Sequence, residues 1–390
     1  MYKKINRFII GSNFYAFFVN GLIVLMTGAI LPYLIRDFNL SYNQGGLLIS
    51  LQAGGNLLSG IFSGIISEYL GKKATLLLGG LSFTIGFGGI LFAPTVPWLV
   101  FFIAISGLGW GTVNNLSNTI ISEISEGKGS TLNFLHMFYA VGAFIAPFFV
   151  GMALKLNFDW RIPVAVVAIL SAVLVIVFLF MPMAPEKQTA AKGGKVSLEF
   201  LKEKRYYLFM AILFCYVGAE TSINGWLVTY MVNAGILSEV IAQTVLSLLW
   251  VVVIFGRLFC AYVSNKVKKE IVVACCCIGE AIFFTVLLLT RNPWLITIFI
   301  MGLGLCQAGI YPTTVANASG LLKGSPVANG LLFSCGGLGA SVIPFIVGVF
   351  AQKLGIYMGM VIIGVAVLLL LVLTLLNAFN RVDTSTAKAG

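Results

Sequence analysis

The sequence predicts an all-α membrane protein of twelve transmembrane helices, arranged as two six-helix halves. Three observations carry this. Of 390 residues, 59% are hydrophobic and only 9% charged, whereas a soluble domain carries about 25% charged residues. Apolar stretches near the ~20 residues that a helix needs to cross a bilayer recur twelve times. The second half of the chain also echoes the first at a nearly constant offset.

The spans read, in order, 8–35, 43–69, 73–94, 97–124, 129–155 and 160–183, then 206–233, 238–264, 270–290, 293–322, 325–353 and 356–380. Backbone groups in lipid must be bonded internally, so each span is read as a helix. The 43 glycines suit close helix packing, because small residues let backbones approach. The first span follows Lys3, Lys4 and Arg7. It is too long for a signal peptide and lacks a small-residue cleavage site. Spans two and three flank the polar turn Gly64-Ile65-Ile66-Ser67-Glu68-Tyr69-Leu70-Gly71-Lys72-Lys73. Between spans six and seven lies the longest polar segment, 184–205, read as a linker whose end near 196–205 forms a short amphipathic helix. The expected organisation is therefore a bundle at 1–183, a linker at 184–205 and a bundle at 206–390.

The net charge of +11 does not mark a nucleic-acid partner, because the basic residues sit in short loops on alternating sides. Eighteen of them, from Lys3, Lys72 and Lys73 to Lys266, Lys269 and Arg381, fall on one side. Arg36, Lys155, Arg161, Arg291 and Lys353 fall on the other. The richer side is cytoplasmic by the positive-inside rule. Even parity then puts both termini inside a plasma membrane. Seven cysteines lie almost wholly in apolar runs. Cys275, Cys276 and Cys277 are consecutive, so on a helix they point about 100° apart and cannot share a metal. They are read as inert thiols.

The echo between halves is specific. Pro97-Trp98-Leu99 recurs as Pro293-Trp294-Leu295, and Gly107-Leu108-Gly109 as Gly302-Leu303-Gly304. Gly142-Ala143 with Pro147 recurs as Gly339-Ala340 with Pro344, and Ser67 as Ser264. The offset stays within about 195–197 residues. The shared offset marks a parallel six-plus-six duplication.

The turn Gly64–Lys73 resembles the loop between the second and third helices of the major facilitator superfamily of transporters. Its pattern is Gly-x-x-x-acid-basic-x-Gly-basic-basic, here with Gly64, Glu68, Gly71, Lys72 and Lys73. Within that superfamily the chain is similar to the fucose and glucose permease branch. The resemblance rests on Leu132-Asn133-Phe134-Leu135-His136 with Gly142-Ala143 and Pro147, and on Tyr216-Val217-Gly218-Ala219-Glu220 with Trp226 and Tyr230. Gly256-Arg257 and Tyr311-Pro312-Thr313 add to it. The resemblance implies the major facilitator fold and a sugar-like solute. Proton-coupled fucose permeases carry acids in spans one and four. Those places hold Gly28 and Thr112 here, so the coupling acid is expected elsewhere.

Ionisable groups at a span centre cost at least ~2.5–3.5 kcal/mol on insertion scales, so His136, Glu220, Arg257 and Glu280 each need a partner or a wet cavity. Arg257 and Glu280 lie at similar depth on the hairpin of spans eight and nine, and a structural ion pair is expected. Glu220 is the expected proton carrier, with His136 second. His136 is read either as a hydrogen-bonded core imidazole or as a cavity-lining group. Asn114 and Asn118 share a helical face, with Trp110 one turn before. Amides and aromatic rings suit sugar hydroxyls. Trp226, Asn20, Gln52, Asn224 and Gln307 complete the candidate solute-binding set. Interhelical hydrogen bonding is the competing reading for the amides.

The turn acid Glu68 is expected to clamp the cytoplasmic gate when the carrier faces outward. Its target is the start of span eleven, where Ser325 is an N-cap and Pro326 the first helical residue. The matching place in the second half, Asn265, is uncharged.

The expected activity is not enzymatic. It is secondary transport of a small polar solute, most simply a sugar, by proton symport. Sodium is the alternative coupling ion. No other cofactor and no metal is expected, since no Walker-type phosphate loop occurs. The expected partners are a small solute and the lipid bilayer, not nucleic acid, and the chain is expected to act as a monomer. Export of amphipathic compounds by antiport, or a membrane sensor that binds ligand without transporting it, are the alternatives.

Overall fold

A computed structural model describes residues 2–125, 129–183, 199–264, 266–322 and 326–386. Twelve helices in it are long and apolar enough to cross a membrane. They are α1 Tyr2–Asp37, α2 Tyr42–Leu70, α3 Lys72–Phe92, α4 Val96–Ile124, α5 Gly129–Lys155 and α6 Arg161–Phe180. The second set is α7 Lys204–Asn233, α8 Glu239–Ser264, α9 Lys269–Leu289, α10 Pro293–Leu322, α11 Pro326–Leu354 and α12 Ile356–Thr386. Of the segment 184–205, residues 184–198 lie outside the described set. Glu199–Lys202 forms one 3-10 turn rather than an amphipathic helix.

Local chemistry sets several ends. Ser41 caps α2 by accepting from the Gln44 amide, and Gln44 returns the bond to the Ser41 amide. This reciprocal pair satisfies two amides that a helix start leaves without partners. Gly71 joins α2 to α3 at φ 80°, where a Cβ would be strained. Asn39 (φ 50°) and Asn157 (φ 60°) turn the chain after α1 and α5, and Gly235 and Gly355 turn it after α7 and α11. Asparagine tolerates this region better than other side chains do.

These turns show the pseudo-repeat. Asn39 and Gly235 are equivalent, as are Asn157 and Gly355. The packing repeats too. A Cβ at Gly142 would stand 2.1 Å from the Phe18 carbonyl oxygen, and one at Gly339 would stand 2.0 Å from that of Phe214. The glycines therefore seat α5 on α1 and α11 on α7. A Cβ at Gly107 would stand 2.2 Å from the Gln52 carbonyl oxygen, and one at Gly304 would stand 2.7 Å from that of Leu249. The spatial counterpart of Gly107 is thus Gly304, not Gly302 as the sequence alignment of the halves had it. Lys72 reaches Glu123, and its counterpart Lys269 reaches the Ala316 carbonyl.

Within the first half α2 and α3 pack on α4, α1 on α5 and α3 on α6. Within the second, α11 packs on α7, α10 on α8 and α9, and α12 on α7, α9 and α11. The halves meet where α2 crosses α11, α5 crosses α8 and α1 crosses α7.

Candidate functional site

The face carrying the start of α1 and the end of α12 is called the terminal face, and the opposite one the distal face. On the distal side the halves are joined. The Tyr42 amide donates to Gln352 Oε1 at 2.8 Å, and Asn233 Nδ2 donates to the Tyr42 hydroxyl at 3.0 Å. Arg36 pairs with Glu239 at 3.8 Å, and Gln243 Nε2 donates to the Ala29 carbonyl at 2.6 Å. Gly46 lies against Pro344 and Gly348, Gly28 against Asn224, and Gly225 against Ile49.

Further inward the halves still touch at Tyr139 with Trp250 (ring centroids 5.9 Å apart) and at Leu57 with Gly337. Beyond that level, among the described residues, no hydrogen bond or ion pair joins one half to the other. The structure is therefore closed distally and open towards the terminal face.

Where the halves part, polar groups collect. On α7, Tyr216, Glu220 and Asn224 recur every four residues and so share a face. The Tyr216 hydroxyl lies 3.0 Å from Glu220 Oε1 and 2.9 Å from the Gln307 carbonyl oxygen on α10. Gln307 Nε2 donates to Glu280 Oε1 on α9 at 2.9 Å. Trp250 Nε1 donates to Asn224 Oδ1 at 3.3 Å. From the other half, His136 is exposed to the gap, its ring edge-on to Phe17 at 5.3 Å. Arg257 on α8 is half-buried, and its charge acts on Glu220, His136 and Tyr139.

The pair expected between Arg257 and Glu280 is not formed. Glu280 is fully buried and takes the Gln307 amide, leaving its Oε2 without a partner. Arg257 has no ion-pair partner among the described residues, and its Nε is unpartnered. Equal depth did not bring the two together, because they point to different neighbours: Glu280 to α10, and Arg257 to the gap between the halves.

The solute candidates divide. Trp110, Asn114 and Asn118 are half-buried on α4, with Asn118 Nδ2 donating to Asn114 Oδ1 at 3.1 Å. Glu220 and Asn224 are half-buried too. Trp226 is corrected: it is 0% exposed and donates through Nε1 to the Pro344 carbonyl at 3.2 Å. It packs α7 on α11 and does not line the gap. Gln52 is buried between α2 and α4 and donates to Ser106 Oγ. Asn20 is buried with neither amide atom partnered. It lies on nearly the face of α1 that Asn13 turns to Met181 of α6. Gln307 is buried and bonded to Glu280. None of these three lines the open gap in this arrangement. Tyr216, Tyr139 and Trp250 are the site residues that sequence reasoning did not select. Tyr216, placed four residues before Glu220, was the available signal.

In the polar turn, Lys72 Nζ takes both oxygens of Glu123 at 2.7 and 2.8 Å. This pair ties α3 to the end of α4. Lys73 is half-buried, as is Gly64, whose carbonyl accepts from Ser67 Oγ. Glu68 is exposed and has no hydrogen bond or ion pair among the described residues. Its expected target Ser325, and Asn265, lie outside the described residues.

Twelve spanning helices in two equivalent sets, closed at one face around a polar centre, define a membrane transport protein. The Major Facilitator Superfamily family model matches residues 14–278 and 236–390, and the chain belongs to that family. It is 24% identical to the glucose/mannose transporter GlcP of Bacillus subtilis over 90% of this chain and 92% of the relative. It is 25% identical to a cis,cis-muconate transport protein of Acinetobacter baylyi over 94% and 95%. A crystal structure of a D-xylose-proton symporter superposes with a TM-score of 0.78 at 14% identity, over 94% of this chain and 96% of that one. The relatives are transporters, not enzymes.

Proposed function

We propose that the protein is a secondary carrier that moves a small polar solute, a sugar, across the cytoplasmic membrane by proton-linked alternating access. The terminal face is cytoplasmic, and the carrier works as a monomer. Bundles 1–183 and 206–390 rock about the gap, joined by 184–205. The observation that carries the reading is the row Tyr216, Glu220 and Asn224 facing the level at which the halves part. It sets a proton-exchanging carboxyl beside amide groups suited to hydroxyls. Asn114, Asn118, Trp110 and His136 complete the wall from the first half. The likeness to a glucose/mannose transporter supports a sugar.

A second reading rests on Arg257. A half-buried guanidinium at the gap without an ion-pair partner favours an organic anion, because an unpaired charge in a low-dielectric site draws a counter-charge. The likeness to a muconate carrier supports it.

Uptake by the purified carrier in proteoliposomes tests both. The panel comprises labelled hexoses, pentoses and a linear dicarboxylate, each with a proton gradient, a sodium gradient or none. Sugar accumulation that needs the proton gradient supports the first reading. Dicarboxylate accumulation replaces it with the second. Binding without flux under every gradient makes the protein a sensor. Export of an amphipathic dye alone makes it an efflux carrier.

A further inference from the structure

We infer that Glu220 carries a proton in this distally closed arrangement and that the Tyr216 hydroxyl holds the protonated acid against α10, which makes Tyr216 the positioning residue of the proton site. The inference rests on the reading of Glu220 as the proton carrier.

The Tyr216 oxygen has two oxygen neighbours at hydrogen-bond distance, Glu220 Oε1 at 3.0 Å and the Gln307 main-chain oxygen at 2.9 Å. A main-chain carbonyl only accepts, and a phenol owns one proton. Were Glu220 ionised, it too would only accept. One of the two contacts would then hold no proton, leaving two oxygen lone pairs facing each other. Tyr216 is 2% exposed, so bulk water offers no relief. A proton on Glu220 Oε1 satisfies both contacts. Glu220 donates to the phenol oxygen, and the phenol donates to Gln307.

Several ionisable groups lie around Glu220: Arg257 from α8, Tyr139 from α5, Tyr216 from its own helix, Tyr311 from α10 and Glu280 from α9. Arg257 alone is a permanent cation, and it makes no ion pair with Glu220.

Gln307 gives the arrangement its consequence. Its carbonyl takes Tyr216 and its side-chain amide holds Glu280. One residue thus links α7 to α10 and α10 to α9. When the Glu220 proton leaves to water in the open gap, the phenol proton turns to the carboxylate. The Gln307 carbonyl is released, and α7 loses its polar tie to α10. Arg257 is then the cation whose field already reaches the new charge.

Infrared difference spectroscopy of the full-length carrier in lipid, titrated with pH and with no solute present, tests this. The wild type is expected to show a protonated-carboxyl carbonyl band that Glu220→Gln removes and Glu280→Gln leaves in place. In Tyr216→Phe that band should move to higher frequency, because the phenol oxygen that accepts from the protonated carboxyl is gone. Absence of any Glu220-dependent band overturns the inference. So does a Tyr216→Phe band at the wild-type frequency, as it would be if the phenol did not accept from the protonated acid. If Tyr216→Phe fails to fold, the Glu220→Gln difference spectrum still decides. No flux is measured, so a failed uptake assay and a failed inference remain distinct results.

Discussion

Gly28 rests on the main-chain carbonyl of Asn224, and a Cβ added there would stand 2.2 Å from that oxygen. This contact seats α1 on α7 at the closed distal side. It leaves no room for a side chain at this position in the closed state. Gly28→Val should force α1 and α7 apart. A cysteine at Ile49 in a cysteine-free background should then react several-fold faster with an impermeant thiol reagent added at the distal face. Unchanged labelling would show that the contact does not hold the gate.

Glu68 has no hydrogen bond or ion pair among the described residues while the terminal face is open. A helix N-terminus attracts a carboxylate by ~0.3–1 kcal/mol, so a clamp onto the start of α11 would favour the terminally closed state by that amount. Glu68→Gln should reduce that state by about two- to fivefold, from the same energy. The Ile49 reporter should then label more slowly from the distal side. Equal rates would exclude the clamp.

Since Arg257 and Glu280 are not partnered, their substitutions should be independent. Thermal unfolding of Arg257→Met, Glu280→Gln and the double variant should give effects that add within about 0.5 kcal/mol. Gln307→Met with Glu280→Gln should not add, because those two share a buried hydrogen bond. Non-additivity of the first pair beyond that margin would restore the ion pair.

Trp226→Phe removes one buried donor from the Pro344 carbonyl while keeping an aromatic ring. A loss of about 1 kcal/mol in stability is expected, with unchanged affinity for whichever solute the uptake panel identifies. A raised KM with unaltered melting would return Trp226 to the solute site.

Glu220→Gln should abolish concentrative uptake and spare counterflow of unlabelled against labelled solute. Counterflow needs binding and alternating access but no net proton movement. Accumulation driven by a pH gradient in this variant would move the coupling role to His136 or to sodium.

The spans, the polar turn and the duplication were legible because length, charge and glycine spacing are written along the chain. The Phe18–Gly142 contact and its counterpart Phe214–Gly339 bear this out. What the sequence hid was the direction in which each side chain points. On a soluble helix the polar face marks solvent, but here lipid and core are both apolar, so depth can be read and azimuth cannot. Gln52 and Gln307 were placed at mid-span as solute groups, yet they turn to Ser106 and Glu280. The ionisable groups were easier, since their cost in lipid demands a wet or bonded place. Three of the four lie in the second half, where Glu220 and Glu280 occupy the repeat positions that Val24 and Phe83 hold in the first.

Tyr42 gathers three contacts in one residue: its amide to Gln352, its hydroxyl from Asn233 and its ring against Trp226 at 6.1 Å. All three partners belong to the other half, and none can be kept once α2 moves away. These three contacts are then lost together, whereas Arg36–Glu239 and Gln243–Ala29 tie α1 to α8 independently of α2.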